Sequence, residues 1–398
     1  MSLTLNTIPK LYNFSRNPII IRGSTDVTPA NAEIKLTIVV VDHGTHVFSE
    51  FPDTGGNFEF DIAGMLDEML KNDWSGPNPA GTGIQAVSKS PLKFFATVKE
   101  YTDGAETDSE FLNEINAEED YYRCLQGGVD FISQFATDDF LNDYFEDQPK
   151  APFLTWKRPR VIDNILNPAL YFLVKEAIDE LYIQVKVYNG STLVATSNTG
   201  PTALTDGTIY SVYCGYTALG IAAILAGAPY TGHITHWTVT LCQEDDDEAA
   251  SETVTFYYDQ KVYANKAYLV FQNSLNGFDD IILTGHLETR SELERQTAQH
   301  EVMFGSTRDE GMRKVTYVEE QSVKKVSTGY LSKRQVAEMK ELLLSPRIYE
   351  LVSGLLLPVE LTEKSKDLIK TIQDQQSITI EYRYLFTDRN YTPAGKLS

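Results

Sequence analysis

Leu181 to Tyr188 reads LYIQVKVY, Asn189-Gly190 follows, and Thr192 to Ser197 (TLVATS) resumes the pattern. Apolar and β-branched residues alternate with polar ones on both sides of the Asn-Gly pair, which predicts an antiparallel hairpin. Further strands are expected on either side of it, at Ala169 to Val174 (ALYFLV), Thr208 to Tyr213, His236 to Cys242 (HWTVTLC), Glu252 to Tyr258 (ETVTFYY) and Lys266 to Phe271. Turn-rich or acidic segments separate them. Many short strands at this spacing predict a β-sandwich over residues 161–285.

The N-terminal hundred residues have a similar character. Pro18 to Arg22, Glu33 to Val41 (EIKLTIVVV), His46 to Phe51, Asn57 to Ile62 and Leu92 to Tyr101 read as strands. Asp42-His43-Gly44-Thr45 supplies a tight turn, Ala63 to Lys71 a short helical turn, and Trp74 to Gly83 a Gly/Pro loop. A first sandwich over residues 1–105 follows. The two regions share a coarse order, each with a strong hairpin and a late strand ending in aromatics. That order is compatible with a duplication, and equally with two independent sandwiches, because the identity between them is too weak to assert common descent.

Residues 106–160 are acidic and aromatic with little strand periodicity, and are read as a partly helical connector. Its aromatics Tyr121, Tyr122, Phe140 and Tyr144 are candidate interface residues, since aromatic side chains are enriched in interface cores. Packing on the chain's own domains accounts for them equally well. After Gly285 the pattern becomes α+β over 286–398. His286 to Met303 is charged and alternating, and Arg313 to Ser327 reads as paired strands. Leu331 to Leu344 reads as a helix opened by a Ser332/Gln335 capping box, with Val336, Met339 and Leu343 on one face and Pro346 as its stop. Strands at Leu355 to Leu361 and Ser377 to Phe386 complete it. The expected fold is mostly β: two immunoglobulin/fibronectin-like β-sandwich domains and a small α+β C-terminal domain.

A chain of 398 residues exceeds a single hydrophobic core, and 42% hydrophobic content excludes wholesale disorder. Acidic residues outnumber basic ones 56 to 34, a balance of −22 that repels a phosphate backbone and argues against nucleic acid as a partner. The start has no basic segment leading into a long apolar run, so no export signal is read and cytoplasmic synthesis is expected. Ala218 to Pro229 (ALGIAAILAGAP) is too short to span a bilayer and reads as a buried helix or connecting segment, with a membrane-touching loop as the lesser alternative.

Nothing calls for a cofactor. Cys124, Cys214 and Cys242 are odd in number and far apart, which fits reduced, buried thiols and neither a disulfide framework nor a zinc site. The His43/His46 and His233/His236 pairs lack a third ligand, and residues three apart on a strand face opposite ways. Glu244 to Glu248 (EDDDE) lacks the alternating ligands and central Gly of an EF-hand loop, so a solvated hairpin tip is expected. Phosphate-cradling, dinucleotide, nucleophile-elbow and zinc-protease motifs are all absent. Carboxylate pairs of a glycoside hydrolase leave no local motif, and are the one route by which an enzyme stays open.

LTWKRP at Leu154, GYTALGI at Gly215, SETVTFYYD at Ser251 and YLVFQNSLNGFDDIILTG at Tyr268 to Gly285, with STGYLS at Ser327 and LLLSPRIYEL at Leu342, resemble tail-associated structural proteins of phages and prophages of Bacteroidetes bacteria. The resemblance runs from about residue 120 onward. It implies a non-catalytic virion component of the tail tip, baseplate or distal tail, assembled in the host cytoplasm. Its partners would be other tail or virion proteins and copies of itself, without stable membrane insertion; a host surface receptor is a further partner it allows. Phe278, Asp279 and Asp280 in its distinctive turn join the interface candidates. The local alternative has Asn276-Gly277 closing a hairpin while Phe278 fills a core. A receptor- or carbohydrate-binding sandwich is the rival reading.

Overall fold

A computed structural model describes residues 3–26, 32–73, 77–87, 91–112, 121–129, 152–155, 159–228, 230, 232–243, 248–299, 313–362 and 375–387. Contacts divide the chain into two units. One is Met1–Asp259 with Asn273–Asp279, the other Gln260–Gln272 with Asp280–Ser398.

In the first half of the first unit the strands are β1 (Leu3–Thr7), β2 (Tyr12–Phe14), β3 (Ile20–Thr25), β4 (Ala32–Val40), β5 (Gly44–Glu50) and β6 (Asn57–Asp61). Helix α1 (Ala63–Asp73) follows, then β7 (Ile84–Ala86), β8 (Leu92–Thr102), β9 (Ala105–Phe111) and β10 (Tyr122–Leu125). One sheet has the order β1-β3-β6 and the other β2-β10-β8-β4-β5, with β9 on β8. Alternation decides the inward face: Ile34, Leu36, Ile38 and Val40 of β4 are buried with Ile21 and Phe58 of the opposing sheet and Leu66 of α1. Gly23 of β3 is required by space, because a Cβ there would stand 2.3 Å from the Phe58 ring.

The second half runs β11 (Arg160–Ile162), β12 (Ala169–Val174), β13 (Ile178–Asn189), β14 (Thr192–Asn198), β15 (Thr202–Leu204) and β16 (Thr208–Tyr213). Helix α2 (Ile221–Gly227) precedes β17 (His236–Gln243), β18 (Glu248–Ala249) and β19 (Val254–Tyr258). Its larger sheet is ordered β11-β19-β17-β13-β14. The path of this larger sheet repeats that of the first half. In each, a short early strand lies parallel to the last strand (β2 on β10, β11 on β19), and the order continues antiparallel to a hairpin. In each, a helix follows the last strand of the smaller sheet. Even the core aromatics correspond: Phe94 beside Tyr122 in one half, Trp237 beside Phe256 in the other, ring centroids 5.4 and 6.2 Å apart. The weak resemblance between the two halves in sequence is thus accompanied by a topological repeat of their larger sheets.

The halves share one unit because the first lends a strand to the second. β7 pairs with β16, giving the small sheet the order β12-β16-β7. Asn167 secures this loan through Nδ2, which donates to the carbonyls of Pro79 and Gly81 at 3.1 and 2.9 Å.

The second unit is a seven-stranded sheet ordered β21-β20-β24-β25-β26-β23-β22, from β20 (Ala267–Gln272), β21 (Phe278–Leu283), β22 (Leu287–Gln299), β23 (Arg313–Ser332), β24 (Ile348–Val352), β25 (Leu355–Leu361) and β26 (Gln375–Tyr384). Helix α3 (Lys333–Leu344) buries Val336, Met339 and Leu342 against it, and the expected capping box is formed, with Ser332 N donating to Gln335 Oε1 at 3.0 Å.

Several expectations are corrected. The 106–160 segment is not a helical connector among its described residues: β9 and β10 are strands of the first half's larger sheet. The boundary at 285 gives way to one near 259, because β20 pairs with β24 and so belongs to the last sheet. Arg313 to Ser327 is not a pair of strands but part of one, β23, which pairs with β22 as far as Val326 and with β26 from Val323 onward. The apolar run beginning at Ala218 forms α2, yet Ile221 is its one buried residue. No described helix is long and apolar enough to cross a membrane. The 181–197 hairpin forms with its loop at Gly190-Ser191, one residue later than Asn-Gly predicts, compensated by a bulge after Val187.

Trp237 is fully buried and its indole N–H donates to the Cys214 carbonyl at 3.2 Å. Trp237→Ala is expected to lower stability by about 3–5 kcal/mol in chemical denaturation, whereas Val262→Ala, at a side chain 99% exposed, changes it by less than about 0.5 kcal/mol.

Candidate functional site

The interface candidates divide sharply. Phe140 and Tyr144 lie outside the described residues. Tyr121 is half-buried, its ring 4.3 Å from that of Phe95. Tyr122, Phe278, Asp279 and Asp280 are all buried within the chain, which corrects their assignment to a surface that meets other chains. Burial pushes the Tyr122 phenol up to about 12.

Phe278 instead packs its ring 6.2 Å from that of Tyr171, and Asp279 anchors a polar knot inside the first unit. Asp279 accepts from the Arg160 guanidinium and, at 2.6 Å, from the Thr155 hydroxyl; Asn273 Nδ2 donates to its other oxygen at 3.1 Å and to the Leu154 carbonyl at 2.8 Å. Asn273 Oδ1 accepts from the backbone of Leu275 and Gly277, and Asn276 Oδ1 accepts from Gln126 N at 3.2 Å. Asn276 sits at φ 71, a conformation that asparagine tolerates better than most residues, and a Cβ on Gly277 would stand 2.7 Å from the Leu154 carbonyl. The NSLNGFDD phrase is therefore structural, with Phe278 in the interior as the local reading has it.

The histidine pairs do not gather ligands: among the described residues no three groups are placed to hold a metal. His236 stacks on Tyr188 with centroids 4.8 Å apart and planes within 4°, and burial holds its imidazole below the usual range. The three cysteines are buried thiols outside any disulfide. Most of the EDDDE run, Glu244 to Asp247, lies outside the described residues; Gln243 and Glu248 on either side pair across the ladder.

Two surface features carry interaction chemistry that the sequence reading did not single out. The first is the β22/β23 ribbon. β26 pairs with β23 only from Val323 onward, so the pairs from Ser291–Ser322 to Gln299–Arg313 have no third strand among the described residues. Nine residues of strand project roughly 30 Å at about 3.3 Å each. Leu293, Val315 and Val318 are exposed along it, and Glu294 lies directly opposite Glu319, a pairing that costs stability in an isolated hairpin.

The second is a cavity of about 830 Å³ in the first unit. Its floor is one cross-strand row on the outer face of the larger sheet: Tyr12 of β2, Arg123 of β10, Lys93 of β8 and Val41 after β4. Its other wall is formed by Lys175 to Ala177 before β13 and Asp206 before β16. Residues drawn from six separate stretches meet here, and no local motif could have announced them.

No family model matches the chain, and no curated protein matches it. Among solved structures, the exo-chitosanase CsxA of Amycolatopsis orientalis is 9% identical over 55% of this chain and 22% of its own, with a TM-score of 0.17. The chain thus spans about a fifth of that enzyme's length. The calcium binding domain CBD12 of CALX1.1 is 6% identical over 65% of this chain and 100% of its own, with a TM-score of 0.20. Likenesses this weak assign no activity.

Removing Asp279 strands a buried guanidinium, so Asp279→Ala is expected to cost about 3–5 kcal/mol in denaturation, and adding Arg160→Met to it recovers much of the loss. Unfolded tyrosine ionises near 10, while folded Tyr122 stays protonated to about 12. Stability from this group is therefore intact below pH 10 and falls as pH rises from there towards 12; chemical denaturation followed by circular dichroism across that range should show the fall, and a shallower one in Tyr122→Phe.

Proposed function

We propose that the chain is a non-catalytic structural subunit of a symmetric assembly of the phage-tail kind, placed at a tail tip, baseplate or distal tail and joined to its neighbours through protein surfaces. The observation that carries this reading is the β22/β23 ribbon. A two-stranded hairpin is marginal by itself in water, and this one exposes apolar side chains and, among the described residues, has no strand paired to either edge of its outer part. Such an edge is completed by strand addition or by burial against another chain. Head-to-tail contacts of this kind between copies of one chain form a ring where the rotation between them closes. The tail-protein resemblance from about residue 120 onward supports the same reading, as does a strong net negative charge that keeps free subunits apart until they assemble.

One observation favours the rival binding-module reading. On the second half's sheet, the outward row Val161–Tyr257–His236–Tyr188, exposed at Val161 and Tyr257 and half-buried at His236 and Tyr188, is the aromatic kind of surface that recognises sugars or receptors.

Native mass determination of the full chain is expected to give a fixed multiple compatible with a closed ring, and replacing residues 291–322 by a short Asn-Gly turn should return it to monomer with its circular dichroism largely retained. A full chain that stays monomeric at high concentration and binds glycan arrays through Tyr257 would overturn the assembly reading in favour of the binding module.

A further inference from the structure

We propose that the cavity over the Tyr12–Arg123–Lys93–Val41 row is a binding site for a small organic anion whose carboxylate or phosphate is held by Arg123, Lys93 and Lys175. This inference stands apart from the assembly reading and does not rest on the ribbon.

The internal repeat separates what the fold requires from what it does not. Both halves use the same inward row of aromatics, so the core dictates Phe94 and Trp237. The outward row beside each is under no such demand. In the second half it is Val161–Tyr257–His236–Tyr188, without lysine or arginine. In the first half the corresponding positions hold Tyr12, Arg123, Lys93 and Val41. Two cations in adjacent register on neighbouring strands repel one another, so their placement side by side is costly unless an anion lies over them.

Arg123 is buried to 4% exposure, which an unmatched guanidinium does not tolerate cheaply. Its partners within the chain are poor ones. Nη1 reaches the Tyr121 carbonyl at 3.5 Å, Nη2 stands 3.9 Å from the half-exposed Asp206 carboxylate, and Nε has no acceptor among the described residues. The Tyr12 ring lies under the guanidinium at 5.6 Å, and the Tyr121 ring lies at the same distance from Lys93 Nζ. These rings fix the direction of both cations without using their N–H donors.

The surroundings are shaped for this arginine. Gly207 adopts φ +58, and a Cβ there would stand 2.8 Å from Arg123 Nε, so the turn that closes the cavity accepts only glycine beside the guanidinium. At about 830 Å³ the space matches sites for ligands of one to a few rings. The lining sets three cations, Arg123, Lys93 and Lys175, beside two rim carboxylates, Glu176 and Asp206. A planar oxyanion matches the fork of arginine, and the ammonium of Lys93 on the next strand supplies a second donor.

Calorimetric titration of the full-length protein with glucuronate, glucose 6-phosphate and glucose tests the site. At least one of the two anions is expected to bind saturably with a Kd of about 1 mM or tighter, and neutral glucose is not; whichever anion binds identifies the headgroup as carboxylate or phosphate. Lys93→Gln and Lys175→Gln remove charge at partly exposed positions and should each weaken binding about tenfold without lowering the melting temperature. Arg123→Gln should abolish it, and serves as a test only if its melt is unchanged. Failure of both anions to bind, equal binding of glucose, or affinity unchanged in both lysine variants would overturn the assignment.

Discussion

The first unit depends on a charge that has no access to water. Arg160 begins β11 with its side chain fully buried, and its guanidinium is met by Asp279, Thr155 and the Ala169 carbonyl. An ion pair in such a place adds little net stability over apolar packing. What it imposes is a penalty on every arrangement in which either partner stands alone. That penalty explains why residues 273–279 leave the sequence neighbourhood of β20 and β21 and belong to the first unit. The asparagines and the glycine of the same stretch then follow, each satisfying backbone groups that the excursion would otherwise leave unpaired.

On this framework the topological repeat sets a division between faces. Inward rows are held constant in kind, aromatic against aromatic and aliphatic against aliphatic, because two sheets must share a close-packed interior. Outward rows are free to differ, and they do: cationic under a cavity in one half, aromatic and open in the other. Whatever the halves recognise, they use equivalent positions of one architecture with different chemistry.

The sequence made the strands with clean alternation legible. β4, β6, β13 and β26 were placed within a few residues because β-branched and aromatic residues with period two leave few alternatives. β9 was not, since AETDSEF carries almost no apolar signal and becomes a strand by pairing along β8. β10 has four residues, all buried, and its identity comes from β2 and β8 on either side. The NSLNGFDD turn was visible as a turn, but its direction was not. Aspartate next to a tight turn reads as surface unless its partner is known, and that partner lies 119 residues earlier. The cavity was invisible for the same reason, multiplied: each of its residues is ordinary where it stands in the sequence.

The same separation has a meaning for how the chain is made. A ribosome adds roughly 5 to 20 residues each second, so Arg160 emerges several seconds or more before Asp279, which follows it by 119 residues. Throughout that interval the nascent first unit holds strands able to pair and a guanidinium without its carboxylate. Premature closure of that half is disfavoured until synthesis has passed into the second unit. Completion of one unit is thereby timed by translation of the other.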